Sequence, residues 1–207
     1  STQGYSSAAS DVYKRQQMYC TRMQLTQNRI MMKITNEQLK QIYTYSTQAN
    51  RDKYLPYINQ FSSEYNMDTY EAMCAFLAQI GHESGQLRYV EEIASGQAYE
   101  NRKDLGNIYK GDGIMYKGRG LIQITGRANY TSLSKNLKID FITNPYLLKE
   151  PLYAVLSAFW YWDKRKLNKY STLNETDFIT LTKRINGGLN GYKDRFRIWN
   201  LAKQILQ

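Results

Sequence analysis

A mainly α-helical fold is what this sequence predicts, and three observations carry it. Apolar residues recur at helical spacing in several stretches, most clearly Ala72, Phe76 and Ile80, and again Leu152, Val155, Leu156 and Phe159. Helix-start chemistry stands before the early stretches, at Thr35-Asn36-Glu37-Gln38 and at Asp68-Thr69-Tyr70-Glu71, each with the spacing of a capping box. No internal repeat and no linker divides the chain, and 207 residues suffice for one domain with a sizeable core.

Residues 1–31 stand apart. Ser6-Ser7-Ala8-Ala9-Ser10 has neither helical nor strand period, and Asp11-Val12-Tyr13-Lys14-Arg15-Gln16 reads like the translation of a transposon adapter used in sequencing libraries. The expectation is a non-native or disordered leader over 1–31, a true start at Met31 or Met32, and a single domain over 32–207. The first helix follows the Thr35 box and turns Leu39, Ile42 and Tyr43 to one side. A second is expected near Arg51–Tyr65 with Leu55, Ile58 and Phe61 inward, weakened or bent by Pro56. The third carries the Ala72–Ile80 stripe, with Met73 and Leu77 beside it. Three residues beyond Ile80 that stripe reaches Glu83, and Gly85 ends the helix.

Residues 86–120 hold six glycines (Gly96, Gly106, Gly111, Gly113, Gly118 and Gly120) and no sustained helical period. A long loop or small β-hairpin region is expected there, the kind of segment that carries function. Ala128–Leu137 reads as helix, Asn144-Pro145 as a break, and Pro151–Trp162 as the apolar centre of the core. Asp177–Ile185 reads as a helix stopped by Asn186-Gly187-Gly188, and Tyr192–Leu206 closes the chain.

The net charge of +10 points to an anionic partner. Without residues 1–31, which hold four bases and one acid, it is still +7. Bases alternate with acids, as in Arg102-Lys103-Asp104 and Lys193-Asp194-Arg195, so attraction to a polyanionic surface fits better than a nucleic-acid-reading helix. The 19 tyrosines suit sugar rings, although most are expected to be half-buried helix residues. The two cysteines, Cys20 and Cys74, imply no disulfide framework. No apolar run of ~18 residues would insert in a membrane, and no signal-peptide pattern opens the chain.

Glu83 is the sharpest chemical candidate. A glutamate at the end of a core-facing stripe needs a reason to be there. The negative end of its helix and an apolar neighbourhood would both push its carboxyl pKa upward, as a general acid requires. His82, the one histidine, is expected to support it by hydrogen bonding; with no second histidine and no cysteine cluster, no metal site is expected.

His82-Glu83-Ser84-Gly85, the run Tyr116-Lys117-Gly118-Arg119-Gly120-Leu121-Ile122-Gln123-Ile124-Thr125-Gly126-Arg127-Ala128-Asn129-Tyr130, and Ile185-Asn186-Gly187-Gly188-Leu189-Asn190-Gly191 with Asp194-Arg195 resemble family 19 glycoside hydrolases. The similarity is greatest to the compact bacterial and phage branch of endolysins and chitinases, and it covers roughly residues 70–207 in order. It implies a two-lobed, lysozyme-like helical fold and an inverting mechanism without a cofactor. Glu83 matches the general acid and Glu92, nine residues on, the base, with Glu91 and Glu100 as alternative bases. Thr125 matches the hydroxyl that holds the attacking water. Tyr116, Gln123, Asn129 and Asn186 match substrate-binding positions, and Arg195 an arginine near the acid; His82 and Arg119 stand as supporting residues. Gln86 departs from the pattern, since many relatives carry glycine there. Independently of family, a helix-end glutamate and a loop glutamate nearer solvent would have the separated pKa values that inversion needs.

The function expected is an endolysin-type glycosidase, cutting β-1,4 bonds of bacterial peptidoglycan. The alternatives are a chitinase on poly-N-acetylglucosamine and, in another class, a non-catalytic glycan-binding protein. The expected partner is cell-wall glycan or a chitin oligosaccharide, not nucleic acid or membrane, and the expected state is a monomer. A phage-encoded enzyme of this kind would wait in the host cytoplasm until release to the wall.

Overall fold

A computed structural model describes residues 32–207, which make one compact unit. The leader expected over 1–31, and Cys20 within it, lie outside the described residues. Among those described, helices and short turns carry the fold and no strand forms, in line with the helical expectation.

Helix α1 (Asn36–Ile42) begins with the expected box: Thr35 Oγ1 accepts from Gln38 N, and the Gln38 side chain reaches back to Thr35 N. Leu39, Ile42 and Tyr43 are buried as the spacing predicts. Helix α2 (Gln48–Glu64) starts earlier than expected because Thr47 supplies the cap, and it runs through Pro56. Proline there removes one backbone hydrogen bond, and the inward face of Leu55, Ile58 and Phe61 holds the helix regardless. Helix α3 (Tyr70–Glu83) is capped by Thr69, whose Oγ1 accepts from Ala72 N, one residue later than the predicted Asp68 box.

Helix α3 is the axis of the molecule, buried continuously from Ala72 to Gly81. It packs most extensively against α8 (Tyr192–Ile205), while α2 lies against α6 (Pro151–Lys164). Phe76 stacks on Phe159 at 4.2 Å between centroids and meets the edge of Trp162 at 5.2 Å. Gly81 sits inside the helix because Tyr43 lies against it: a Cβ would fall 2.6 Å from Tyr43 Cε1, and the Tyr43 hydroxyl donates to Leu77 O.

After α3 the chain turns through three consecutive left-handed residues, Gly85, Gln86 and Leu87. Gln86 holds this conformation without being glycine. Its buried side chain accepts from Tyr45 N at 2.8 Å, which ties the turn to the segment after α1 and offsets the backbone strain.

Of the two expectations for residues 86–120, a long loop or a small hairpin, the loop forms. Residues 84–126 contain two 3₁₀ turns (Gln97–Tyr99 and Lys103–Leu105) and the short α4 (Asp112–Met115), joined by isolated bridges between Glu91 and Arg119 and between Arg119 and Ile124. Side-chain ties replace a ladder there. Helices α5 (Arg127–Leu137) and α7 (Glu175–Asn186) complete the set, and Gly187 at φ 75° ends α7 as expected.

Candidate active site

Glu83 is the last residue of α3, and α8 fixes it. Arg195, 1% exposed at its side chain, donates from Nη2 to Glu83 Oε1 at 2.5 Å and from Nη1 to Gln79 Oε1 at 2.7 Å. Gln79 in turn donates to Thr182 Oγ1 on α7 at 3.0 Å. Three helices therefore converge on one carboxylate whose side chain stays 20% exposed. The stripe delivers Glu83 to an apolar helix end, and the arginine expected near it, Arg195, binds one of its oxygens.

His82, expected to support Glu83 by hydrogen bonding, bonds instead to Asp194 on α8. Its Nδ1 lies 2.8 Å from Asp194 Oδ2, and Gly191 lies so close to the imidazole that any Cβ would overlap it. Burial raises the Asp194 carboxyl, but hydrogen bonds from His82 and Arg197 outweigh that and hold it below the usual aspartate range.

Glu92 hangs in the loop region with both oxygens occupied. Tyr99 Oη donates to Oε1 at 2.9 Å, and Gly118 N donates to Oε2 at 3.2 Å. Burial first, then Glu92 itself, raises the Tyr99 phenol and keeps it a donor. Gly118 is required by what faces it. A Cβ there would lie 2.7 Å from Gln123 Oε1, 3.3 Å from Thr125 Oγ1 and 3.4 Å from Glu92 Oε2. Three predicted site residues thus share the space over one glycine. Gln123 is itself left-handed, its Nε2 donating to Gly120 O, and Asn129 donates to Thr125 O at 2.8 Å.

The two alternative bases are differently employed. Glu91 accepts from Arg119 Nε at 2.9 Å and pairs with Lys149 at 3.1 Å. Burial raises its carboxyl, and the hydrogen bonds from Lys149 and Arg119 overcome this and leave it lowered. Glu100 accepts from Gly111 N and Gly113 N, at 2.6 and 2.9 Å, and closes its own loop. Arg119 supports the loops, donating to Met115 O and Tyr130 Oη as well as to Glu91.

A cavity of about 360 Å³ lies between these groups. Glu83, Tyr161, Arg165, Ile185 and Asn186 line it from α3, α6 and α7, and Tyr99, Arg102, Gln123, Thr125 and Asn129 face them. Glu92 adjoins this second wall through its bond to Tyr99 and its place beside Thr125 over Gly118. Burial raises the Tyr161 phenol, Arg165 lowers it and the charge of Glu83 raises it, which brings acid and phenol within electrostatic reach. Tyr116 is placed differently from expectation. It is 3% exposed, its hydroxyl donates to Ile142 O at 3.2 Å, its ring packs on Tyr130, and it does not line the cavity. A motif fixes its position in the chain but not the side to which its ring turns.

The sequence reading did not single out Gln79, Tyr161 or Arg165. Gln79 carried a usable signal: it is a polar residue inside the apolar run, one turn before Glu83.

The family model for class I chitinases of glycoside hydrolase family 19 matches residues 21–184, starting eleven residues before the first one described. A glycosyl hydrolase family 19 domain-containing protein of Haemophilus influenzae is 34% identical over 155 residues, 60% of this chain and 74% of that one. An endochitinase of Arabidopsis thaliana is 38% identical over 117 residues, 56% of this chain; the match spans 39% of the plant protein, less than half its length. The crystal structure of chitinase C from Streptomyces griseus superposes with a TM-score of 0.69 at 22% identity, covering 86% of this chain and 95% of that one. At that identity the likeness concerns the fold.

Proposed function

The chain belongs to glycoside hydrolase family 19, and on that premise we propose that it hydrolyses β-1,4 bonds of bacterial peptidoglycan by an inverting acid/base mechanism. The observation that carries the reading is the convergence on one cavity of Glu83, held by Arg195, and of Thr125 and Gln123, which share the space over Gly118 with Glu92.

Glu83 gives its proton to the glycosidic oxygen as the bond from C1 breaks. Glu92 takes a proton from a water molecule held by Thr125, and the hydroxide so formed joins C1 from the opposite face. The leaving sugar departs with a new hydroxyl and C1 is inverted. Tyr99 and the Gly118 amide hold the Glu92 carboxylate in place. Gln123, Asn129 and Asn186 offer amides to the sugar's hydroxyl and acetamido groups. A basic chain would stay near an anionic wall, which supports an endolysin role, acting as a monomer released from a host cytoplasm.

A second reading, hydrolysis of chitin, is favoured by the names of the plant and Streptomyces relatives. Digestion of purified peptidoglycan and of chitin, with mass analysis of the new ends, separates the two. Release of muropeptides with new reducing ends supports the first; soluble N-acetylglucosamine oligomers from chitin alone support the second.

A further inference from the structure

Two arginines line the cavity, and their surroundings differ. Arg102 is closed by Asp104, which accepts from Nε at 2.7 Å and from Nη2 at 2.6 Å. Arg165 pairs with no carboxylate among the described residues; its Nη1 donates only to Arg184 O, at 3.3 Å. It sits at the C-cap of α6, where its backbone N–H bonds to Tyr161 O, and its guanidinium lies 4.5 Å over the Tyr161 ring. That ring is a wall of the cavity and feels the charge of Glu83.

The acids near Arg165 are engaged elsewhere: Asp163 is paired with Lys166 at 3.0 Å, and Glu83, across the cavity, is held by Arg195. The Lys164 ammonium is pushed down by burial and then by Arg165. A guanidinium held over an aromatic ring loses little freedom when it meets a planar anion, and its open edge matches a carboxylate fork. A neutral chain of N-acetylglucosamine has no such group.

We propose that Arg165 determines specificity, recognising a carboxylate carried by the glycan so that the cavity prefers an anionic strand to neutral chitin. The proposal rests on the glycosidase reading of the cavity and names its substrate class. The carboxylate has two sources in a wall strand: the lactyl group of a peptide-free muramic sugar, and the acids of an attached stem peptide.

Titration calorimetry on the whole chain, as wild type, Arg165→Gln and Arg165→Lys, tests it with three probes: chitohexaose, peptide-free glycan strands and peptide-bearing strands. Wild type is expected to bind at least one anionic probe more tightly than chitohexaose. Arg165→Gln is expected to weaken that probe about 10-fold more than it weakens chitohexaose, and Arg165→Lys to recover part of the loss. The affected probe identifies the source of the carboxylate. No wild-type preference, or an equal loss on all three probes, overturns the proposal. Hydrolysis of the same strands is followed separately: preferential binding without cleavage would leave Arg165 its role and remove peptidoglycan as the substrate.

Discussion

Arg195 donates to Glu83 at 2.5 Å, and the residues just before them repeat the union: His82 meets Asp194 at 2.8 Å. Two successive residues of α3 are thus fastened to two successive residues of α8, and the acid cannot drift from the cavity without parting the two helices. Glu83→Gln keeps an oxygen for Arg195 but has no proton to give. Hydrolysis should fall by at least ~10²–10⁴-fold with the fold retained. The amide oxygen is a weaker acceptor for the buried Arg195 guanidinium than a carboxyl group, so stability should drop by about 1 kcal/mol. Initial rates and a thermal melt followed by circular dichroism check both; near-wild-type hydrolysis by the folded variant removes Glu83 as the acid.

Glu92→Gln, Glu91→Gln and Glu100→Gln should separate chemistry from structure. The first is expected to lose ~10²–10⁴-fold in rate with little change in melting temperature. The other two should act chiefly on loop stability, Glu100→Gln by about 1 kcal/mol because its partners are loop amides, and Glu91→Gln by about 1–3 kcal/mol because Arg119 beside it is buried. Rates and melts of the three variants measure this, and a dead but stable Glu100→Gln would move the base to Glu100.

Glu91 also gives a pH dependence. Its carboxyl is held below the ordinary glutamate value of 4.5, so its contribution to stability is fully present above that value. The contribution is lost as pH falls through the lower value of the folded state. Wild type should therefore lose more melting temperature than Glu91→Gln on acidification below about 4.5; parallel losses would show that the Arg119–Glu91–Lys149 cluster does not stabilise the loops.

Gly118→Ala places a methyl group among Gln123 Oε1, Thr125 Oγ1 and Glu92 Oε2. The nearest of these is the far end of the flexible Gln123 side chain, which can shift at the cost of its bond to Gly120 O, so the protein should fold. The water-holding geometry should suffer, with a rate loss on the order of 10–10²-fold. Unchanged kcat in a folded Gly118→Ala protein would mean that this oxygen cluster is not used in the reaction.

A chain beginning at Met32 is expected to melt and work like the full chain, given the adapter-like run at 11–16. The family match reaching back to residue 21 makes this a sharp test. A lower melting temperature or rate would place residues 21–31 within the native domain.

The helices were legible because each writes its own period: Ala72, Phe76 and Ile80 lie on one side of α3 whatever surrounds it, and Thr35 and Gln38 form their box from four adjacent residues. The site was legible in so far as motifs fix order in the chain. What escaped depends on distant partners. Glu91 is tied to Arg119 and Lys149, and Glu100 to Gly111 and Gly113, by bonds with no local period, so the sequence left them as rivals of Glu92. Tyr116 turns inward because Tyr130 and the Ile142 carbonyl receive it, and Arg165 reaches the cavity because α6 ends beside α7.

The most direct measurement is proton NMR of the first products from peptide-free glycan strands, recorded before mutarotation and run beside Glu83→Gln and Glu92→Gln. If Glu83 protonates the leaving oxygen while Glu92 drives water in from the other face, the new reducing ends appear first as the α-anomer and both variants release almost none. A β-anomer from the first turnovers would contradict the account.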